Sequence, residues 1–128
     1  MAVGVINGKI YVAGGISEKA WNENKLDSTE VYDPETRVWS MLAPLPKARS
    51  NAASCVLNGM LYVIGGTSNQ PAVQNRRYYV QSTVARVCCG AECYTPETNS
   101  WTSIASMKNS RKLCAAAALN GQIYVVGG

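Results

Sequence analysis

Short apolar runs, each closed by turn residues, set the pattern of this chain. Ala-Val-Gly-Val-Ile at 2–6, Asn-Ala-Ala-Ser-Cys-Val-Leu at 51–57 and Cys-Ala-Ala-Ala-Ala-Leu at 114–119 are small and apolar. Each is followed by Asn-Gly and then by an Ile-Tyr-Val or Leu-Tyr-Val run ending in Gly-Gly. Asn-Gly favours the tight hairpin turn, so each run with its successor predicts strand, turn and strand. Thr-Glu-Val-Tyr at 29–32 and Ala-Glu-Cys-Tyr at 91–94 predict a third strand. Asp33-Pro34-Glu35-Thr36 and Thr95-Pro96-Glu97-Thr98 put Pro at the second position of a type I turn, and a fourth strand follows from each Trp. The alanines at 115–118 have the highest helix propensity in the chain. They nevertheless occupy the place that Ala-Ala-Ser-Cys-Val-Leu holds one unit earlier, and the reading is strand.

The recurrence is strict. Asn-Gly-x-x-Tyr-Val-x-Gly-Gly occurs at 7–15, 58–66 and 120–128, with six of nine positions identical in all three copies. The stretch 30–49 recurs at 92–111 with eight of twenty positions identical, at an offset of 62 residues. Repeats of this length mean a modular architecture of stacked supersecondary units. If such four-stranded sheets are arranged radially, their first strands crowd around a common axis, where small side chains are needed. Strand two is apolar on both faces, as a sheet sandwiched between neighbours requires.

Gly14, Gly15, Gly65, Gly66, Gly127 and Gly128, with Tyr32, Tyr94, Trp39 and Trp101, resemble the diglycine, tyrosine and tryptophan of kelch repeats, the units of a β-propeller. The resemblance extends over the chain apart from 67–90. It implies an all-β partial propeller made of four-stranded antiparallel blades, two complete and the first hairpin of a third. Blade one is expected at 1–46, blade two at 49–107 with a long and mobile loop at 67–90, and the half blade at 111–128. The named Gly, Tyr and Trp residues are expected to be scaffold. Glycine pairs permit positive φ and close backbone approach, and the aromatic rings suit packing between sheets with a polar tip on a backbone partner. Counted in strands, the chain reads as a piece of a longer propeller.

Antiparallel order puts the Asn-Gly and Pro-Glu-Thr turns on one face. The strand two to three connections and the segments leading to the next blade lie on the other. Length varies only on this second face, with 14 residues between Gly15 and Glu30 and 25 between Gly66 and Glu92. Variable loops on a rigid scaffold are where binding resides. The candidate partner-binding residues there are Trp21, Asn22, Arg49, Arg76, Arg77, Tyr78 and Arg111. Arg49 and Arg111 hold equivalent places just before strand one, where the family resemblance implies a side chain presented to a bound peptide. A guanidinium fork would pair there with the carboxylates of an acidic segment. The alternative is that both hydrogen-bond carbonyls of a neighbouring blade.

Composition narrows the function. The net charge of +4 rests on 16% charged residues, without the Lys and Arg clusters of a nucleic-acid footprint. No apolar run reaches membrane-spanning length, and a cytoplasmic protein is expected. Five cysteines at 55, 88, 89, 93 and 114 with no histidine argue for reduced thiols and against a metal site, leaving a redox thiol beside Arg86 as a minor option. Without histidine the commonest general base is missing, so neither catalysis nor a cofactor is expected. The resemblance is to the kelch region of BTB-kelch adaptors, which present substrates to cullin-RING ubiquitin ligases. That implies a non-enzymatic protein-interaction module. These 128 residues contain no BTB segment for cullin binding, and an actin-binding kelch protein is the alternative.

Overall fold

The structure, a computed structural model, describes residues 1–18, 24–70 and 84–128. Blade one is an antiparallel sheet in sequence order: β1 (Ala2–Ile6), β2 (Lys9–Ser17), β3 (Asn24–Asp33) and β4 (Val38–Leu42). The next strands along the chain are β5 (Ala53–Leu57), β6 (Met60–Ile64), β7 (Thr67–Gln70), β8 (Val84–Val87), β9 (Ala91–Thr95) and β10 (Ser100–Ile104). Blade two pairs β5, β6, β9 and β10 in that spatial order, again antiparallel. The chain ends on the hairpin of β11 (Cys114–Leu119) and β12 (Gln122–Gly127). The alanine run is strand, as its place in the repeat requires.

Turn chemistry explains why these residues hairpin. Asn7-Gly8, Asn58-Gly59 and Asn120-Gly121 all have positive φ at both positions, between 49° and 74°, as the type I′ turn demands. In the Pro turns the residue that closes the loop, Arg37 or Asn99, takes φ 57° or 46°. Asp33 tightens the first by accepting from the backbone N–H of Glu35 at 2.9 Å.

The inner strands stack side by side, β1 against β5 and β5 against β11, so the blades fan from one edge. The core lies between blades one and two: Ala2, Ile6, Tyr11, Ala13 and Leu45 meet Leu61, Val63 and Tyr94. At Gly4 the two sheets approach closely. A Cβ there would stand 2.6 Å from Val56 Cγ2 and 2.8 Å from Leu61 Cδ1. The space is already filled by blade two.

Trp101 and Tyr94 pack with ring centroids 5.2 Å apart, and Tyr94 is 1% exposed. The indole Nε1 donates to the carbonyl of Ala43 at 2.9 Å, and Asn99 Oδ1 accepts from Tyr94 OH at 2.8 Å and from the N–H of Ala43 at 2.9 Å. Blade two thus clasps the segment leaving blade one. Trp39 pairs with Tyr32 at nearly the same separation, 5.1 Å, yet is 52% exposed. The two tryptophans hold the same place in their sheets but differ in burial, because among the described residues nothing packs on the outer face of blade one.

The expected long loop at 67–90 also differs. Its two ends pair as a separate ribbon, β7 with β8, from Thr67–Val87 to Gln70–Val84. Thr67 extends this by exchanging backbone hydrogen bonds with Ser50, 2.8 and 2.9 Å long. Residues 71–83 lie outside the described residues, so their expected mobility has no counterpart here.

Candidate functional site

The strand two to three connections and the segments leading into β5 and β11 meet on one face. The diglycines make this possible. Gly65 and Gly66 have φ 67° and 87°, and a Cβ on Gly65 would lie 2.5 Å from the carbonyl of Arg111. Gly66 N–H donates to that same carbonyl at 2.7 Å, as Gly15 N–H donates to the carbonyl of Arg49 at 2.9 Å. Each segment therefore lies flat on the diglycine of the blade before it.

Among the described residues of this face, Arg49 carries the largest set of side-chain hydrogen bonds. Its backbone belongs to blade one, donating to Leu26 and accepting from Gly15. Its side chain belongs to blade two. Nη1 donates to the carbonyls of Gly65 and Gly90 at 3.0 and 3.2 Å, and Nη2 forms a 2.7 Å ion pair with Glu92 Oε1. Arg49 is 2% exposed and Glu92 6%. The expectation that Arg49 presents its fork to a bound peptide is corrected by this geometry: the guanidinium is consumed inside the protein, and the alternative role as a tie between blades is the one observed. Burial pushes the Glu92 carboxyl up from its ordinary range, against the pull of Arg49 and Lys47. Arg49 Nε and Glu92 Oε2 are left without hydrogen-bond partners.

Arg111 repeats the arrangement at the next blade. Its N–H donates to Cys88, its carbonyl accepts from Gly66, and Nη1 donates to the carbonyl of Gly127 at 2.5 Å. It is half-buried, being covered on fewer sides than Arg49. The remaining sequence candidates, Trp21, Asn22, Arg76, Arg77 and Tyr78, lie outside the described residues.

Beside the Arg49–Glu92 pair opens a cleft of about 280 Å³. The segment before β5 supplies Lys47 and Arg49, and the stretch from β8 to β9 supplies Arg86, Val87, Cys88, Cys89, Gly90 and Glu92; Ser110 closes it from the third blade. With Arg49 and Glu92 neutralising each other, Lys47 and Arg86 leave the cleft positive. The partner-binding candidates read from the sequence lie on connections of this face but do not include the cleft-lining Lys47, Arg86 and Ser110. Lys47 stands two residues before Arg49 and Ser110 one residue before Arg111. Among the described residues no three His, Cys, Asp or Glu side chains come together as a metal site.

Four-stranded antiparallel sheets, stacked by their inner strands and stitched by diglycines, define a β-propeller repeat protein. The Kelch motif model matches residues 1–46 and 48–108, and the chain belongs to the kelch-repeat family. It is 39% identical to human Kelch-like protein 28 over 80% of this chain and 17% of that one. It is 37% identical to Kelch-like ECH-associated protein 1A of Danio rerio over 93% of this chain and 17% of that one. An F-box/kelch-repeat protein of Arabidopsis thaliana is 35% identical over 97% of this chain and 29% of that one. The chain therefore spans between about a sixth and a third of the length of these relatives. The solved structure of YjhT superposes with a TM-score of 0.76 at 23% identity, covering 99% of this chain and 33% of that one, which is a likeness of fold.

Proposed function

We propose that the chain is a non-catalytic recognition module whose loop face receives an acidic segment of a cytoplasmic protein partner, as part of a substrate adaptor for a cullin-RING ubiquitin ligase. The observation that carries this reading is the cleft between Lys47, Arg86 and Ser110, concave and positive on the face where connection length varies. The kelch-like and F-box/kelch relatives support the adaptor role. Cullin recruitment is not assigned to these 128 residues. Within the cleft Lys47 and Arg86 would meet partner carboxylates, Ser110 would offer a hydroxyl, and Arg49 would set the floor without itself reaching the ligand.

Fluorescence polarisation with a panel of labelled acidic nonapeptides and counterparts in which Lys replaces each Asp and Glu tests this. The acidic set is expected to contain binders whose affinity falls with salt and drops about tenfold or more on Lys47→Glu or Arg86→Glu, since each charge-assisted contact contributes roughly 1.5 to 3 kcal/mol. No binder in the panel, together with co-sedimentation on actin filaments that survives both substitutions, would move the reading to a cytoskeletal kelch protein.

A further inference from the structure

The Cys88-Cys89 pair is not required by the repeat. The corresponding residues of blade one, at the offset of 62, are Leu26 and Asp27, and they make the same backbone bonds. Leu26 and Cys88 accept from the N–H of Arg49 and Arg111, while Asp27 and Cys89 accept from Leu45 and Met107. Two consecutive thiols have thus been placed on a junction that other side chains serve equally well. Both are half-buried and both line the cleft between Lys47 and Arg86. The sulfur of Cys88 is held by Ser68 Oγ at 3.1 Å and lies 3.6 Å from the carbonyl of Arg86. Cys89 makes no side-chain hydrogen bond among the described residues.

We propose that Cys88 and Cys89 form a reversible modification site, a vicinal dithiol that closes to a disulfide by exchange with a small anionic disulfide admitted by the positive cleft. Cys89 attacks first. Its sulfur bonds to one sulfur of the reagent and the other sulfur leaves as a thiol, taking up the proton that Cys89 gave to solvent. Cys88 then loses its proton, its sulfur attacks that of Cys89, and the second half of the reagent leaves as a thiol. The protein dithiol is oxidised by two electrons and the reagent is reduced to two thiols. Lys47 and Arg86 favour an anionic reagent at this pair; burial pushes the thiols of Cys55 and Cys93 up, and Cys114 stands on β11, apart from the residues that line the cleft.

The closed form is strained by arithmetic. Adjacent Cα atoms stand about 3.8 Å apart across a trans peptide, while an ordinary disulfide spans roughly 4.4 to 6.8 Å between Cα atoms. The peptide between the two cysteines must twist to accommodate the bond, and strained disulfides are the readily reduced, regulatory ones. That peptide contains the Cys88 carbonyl, which accepts from Arg111 N–H at 3.1 Å. Closure therefore loosens the segment that leads from blade two into β11. The chemistry does not depend on the partner proposed above.

Native protein incubated with oxidised glutathione, quenched with an alkylating agent and mapped by mass spectrometry provides the test. The expected peptide contains Cys88 and Cys89, is lighter by two hydrogens and resists alkylation until reductant is added. Amide exchange at Arg111 is expected to rise on the order of tenfold for the loss of one hydrogen bond. The cationic disulfide cystamine is expected to react more slowly, an order that Arg86→Glu reverses. Cys88→Ser is expected to halt the reaction at a stable glutathione adduct on Cys89. Continued alkylation of both thiols in the wild-type protein, a disulfide joining any other pair, or equal rates with the two reagents would overturn the proposal.

Discussion

Arg49 is one side chain with obligations on both sides of a blade boundary, and its removal has consequences that can be ordered by size. Truncation to Ala deletes the 2.7 Å ion pair and two bonds to backbone carbonyls, and leaves Glu92 charged, buried and unpaired. Breaking a buried pair from one side costs about 3 to 5 kcal/mol. Urea unfolding of Arg49→Ala should show a loss of that order, and Arg49→Lys should recover part of it, since one ammonium cannot reproduce the fork. The same variant fixes a pH dependence. Glu92 is already raised above its ordinary value of 4.5 by burial, and losing Arg49 raises it further. Between the unfolded and folded values the native state then binds more protons than the unfolded state, so stability increases as pH falls towards 4.5. The deficit of Arg49→Ala should narrow on acidification from about pH 7; a deficit independent of pH would place Glu92 in water. The chain pattern located Arg49 and Arg111 as an equivalent pair but could not separate a ligand-facing fork from a buried one. That distinction depends on Glu92, 43 positions along the sequence, reaching back across the blade.

Strands and their contacts were the most legible level, because each came with its own punctuation: Asn-Gly for the inner hairpin, Pro-Glu-Thr for the outer, Gly-Gly at the crossing. What escaped was the β7–β8 ribbon. Thr-Ser-Asn-Gln carries no apolar alternation, and its pairing is set by the register that Thr67 takes against Ser50. Burial of the tryptophans was likewise illegible, since both sit in the same motif. The clasp on Ala43 makes the difference measurable. Trp101→Phe forfeits the bond to that carbonyl and should cost about 1 to 3 kcal/mol, while Trp39→Phe should change unfolding by a few tenths. Intrinsic fluorescence of single-tryptophan variants should be bluer for Trp101 than for Trp39; emission of equal wavelength would mean that both rings are solvated. Gly4 gives an independent measure of the same junction. A valine there must displace Val56 and Leu61, and overpacking of this kind costs roughly 1 to 3 kcal/mol.

Over the whole molecule, apolar surface is distributed unevenly between the two flanks and the interior junction. On the outer face of blade one, the row Val5, Ile10, Tyr32, Trp39 and its neighbour Val3, Val12, Glu30, Met41 leave Val5 62%, Trp39 52% and Met41 67% exposed. On the far side, Leu119, Tyr124 and Val126 share one face of the β11–β12 hairpin and are 60%, 50% and 63% exposed. Fully burying a side chain such as Val or Leu contributes about 1.5 to 3 kcal/mol, so the exposed side chains of each flank together offer free energy comparable with the roughly 4 kcal/mol of a millimolar complex. Open strand edges on β4 and β10 add hydrogen-bonding groups to the same surfaces. The isolated 128-residue chain should therefore self-associate as concentration rises, measured as an increase in weight-average mass by sedimentation velocity. Val5→Lys and Val126→Lys place one charge on each flank, at exposed positions outside the junction between blades one and two. The double variant should shift association to markedly higher concentration while its urea midpoint stays close to that of the parent. A mass that remains monomeric across the dilution series of the parent chain would show that these faces are satisfied by solvent. An unchanged association in the double variant would place the contact instead on the strand edges, where backbone pairing rather than side-chain burial drives it.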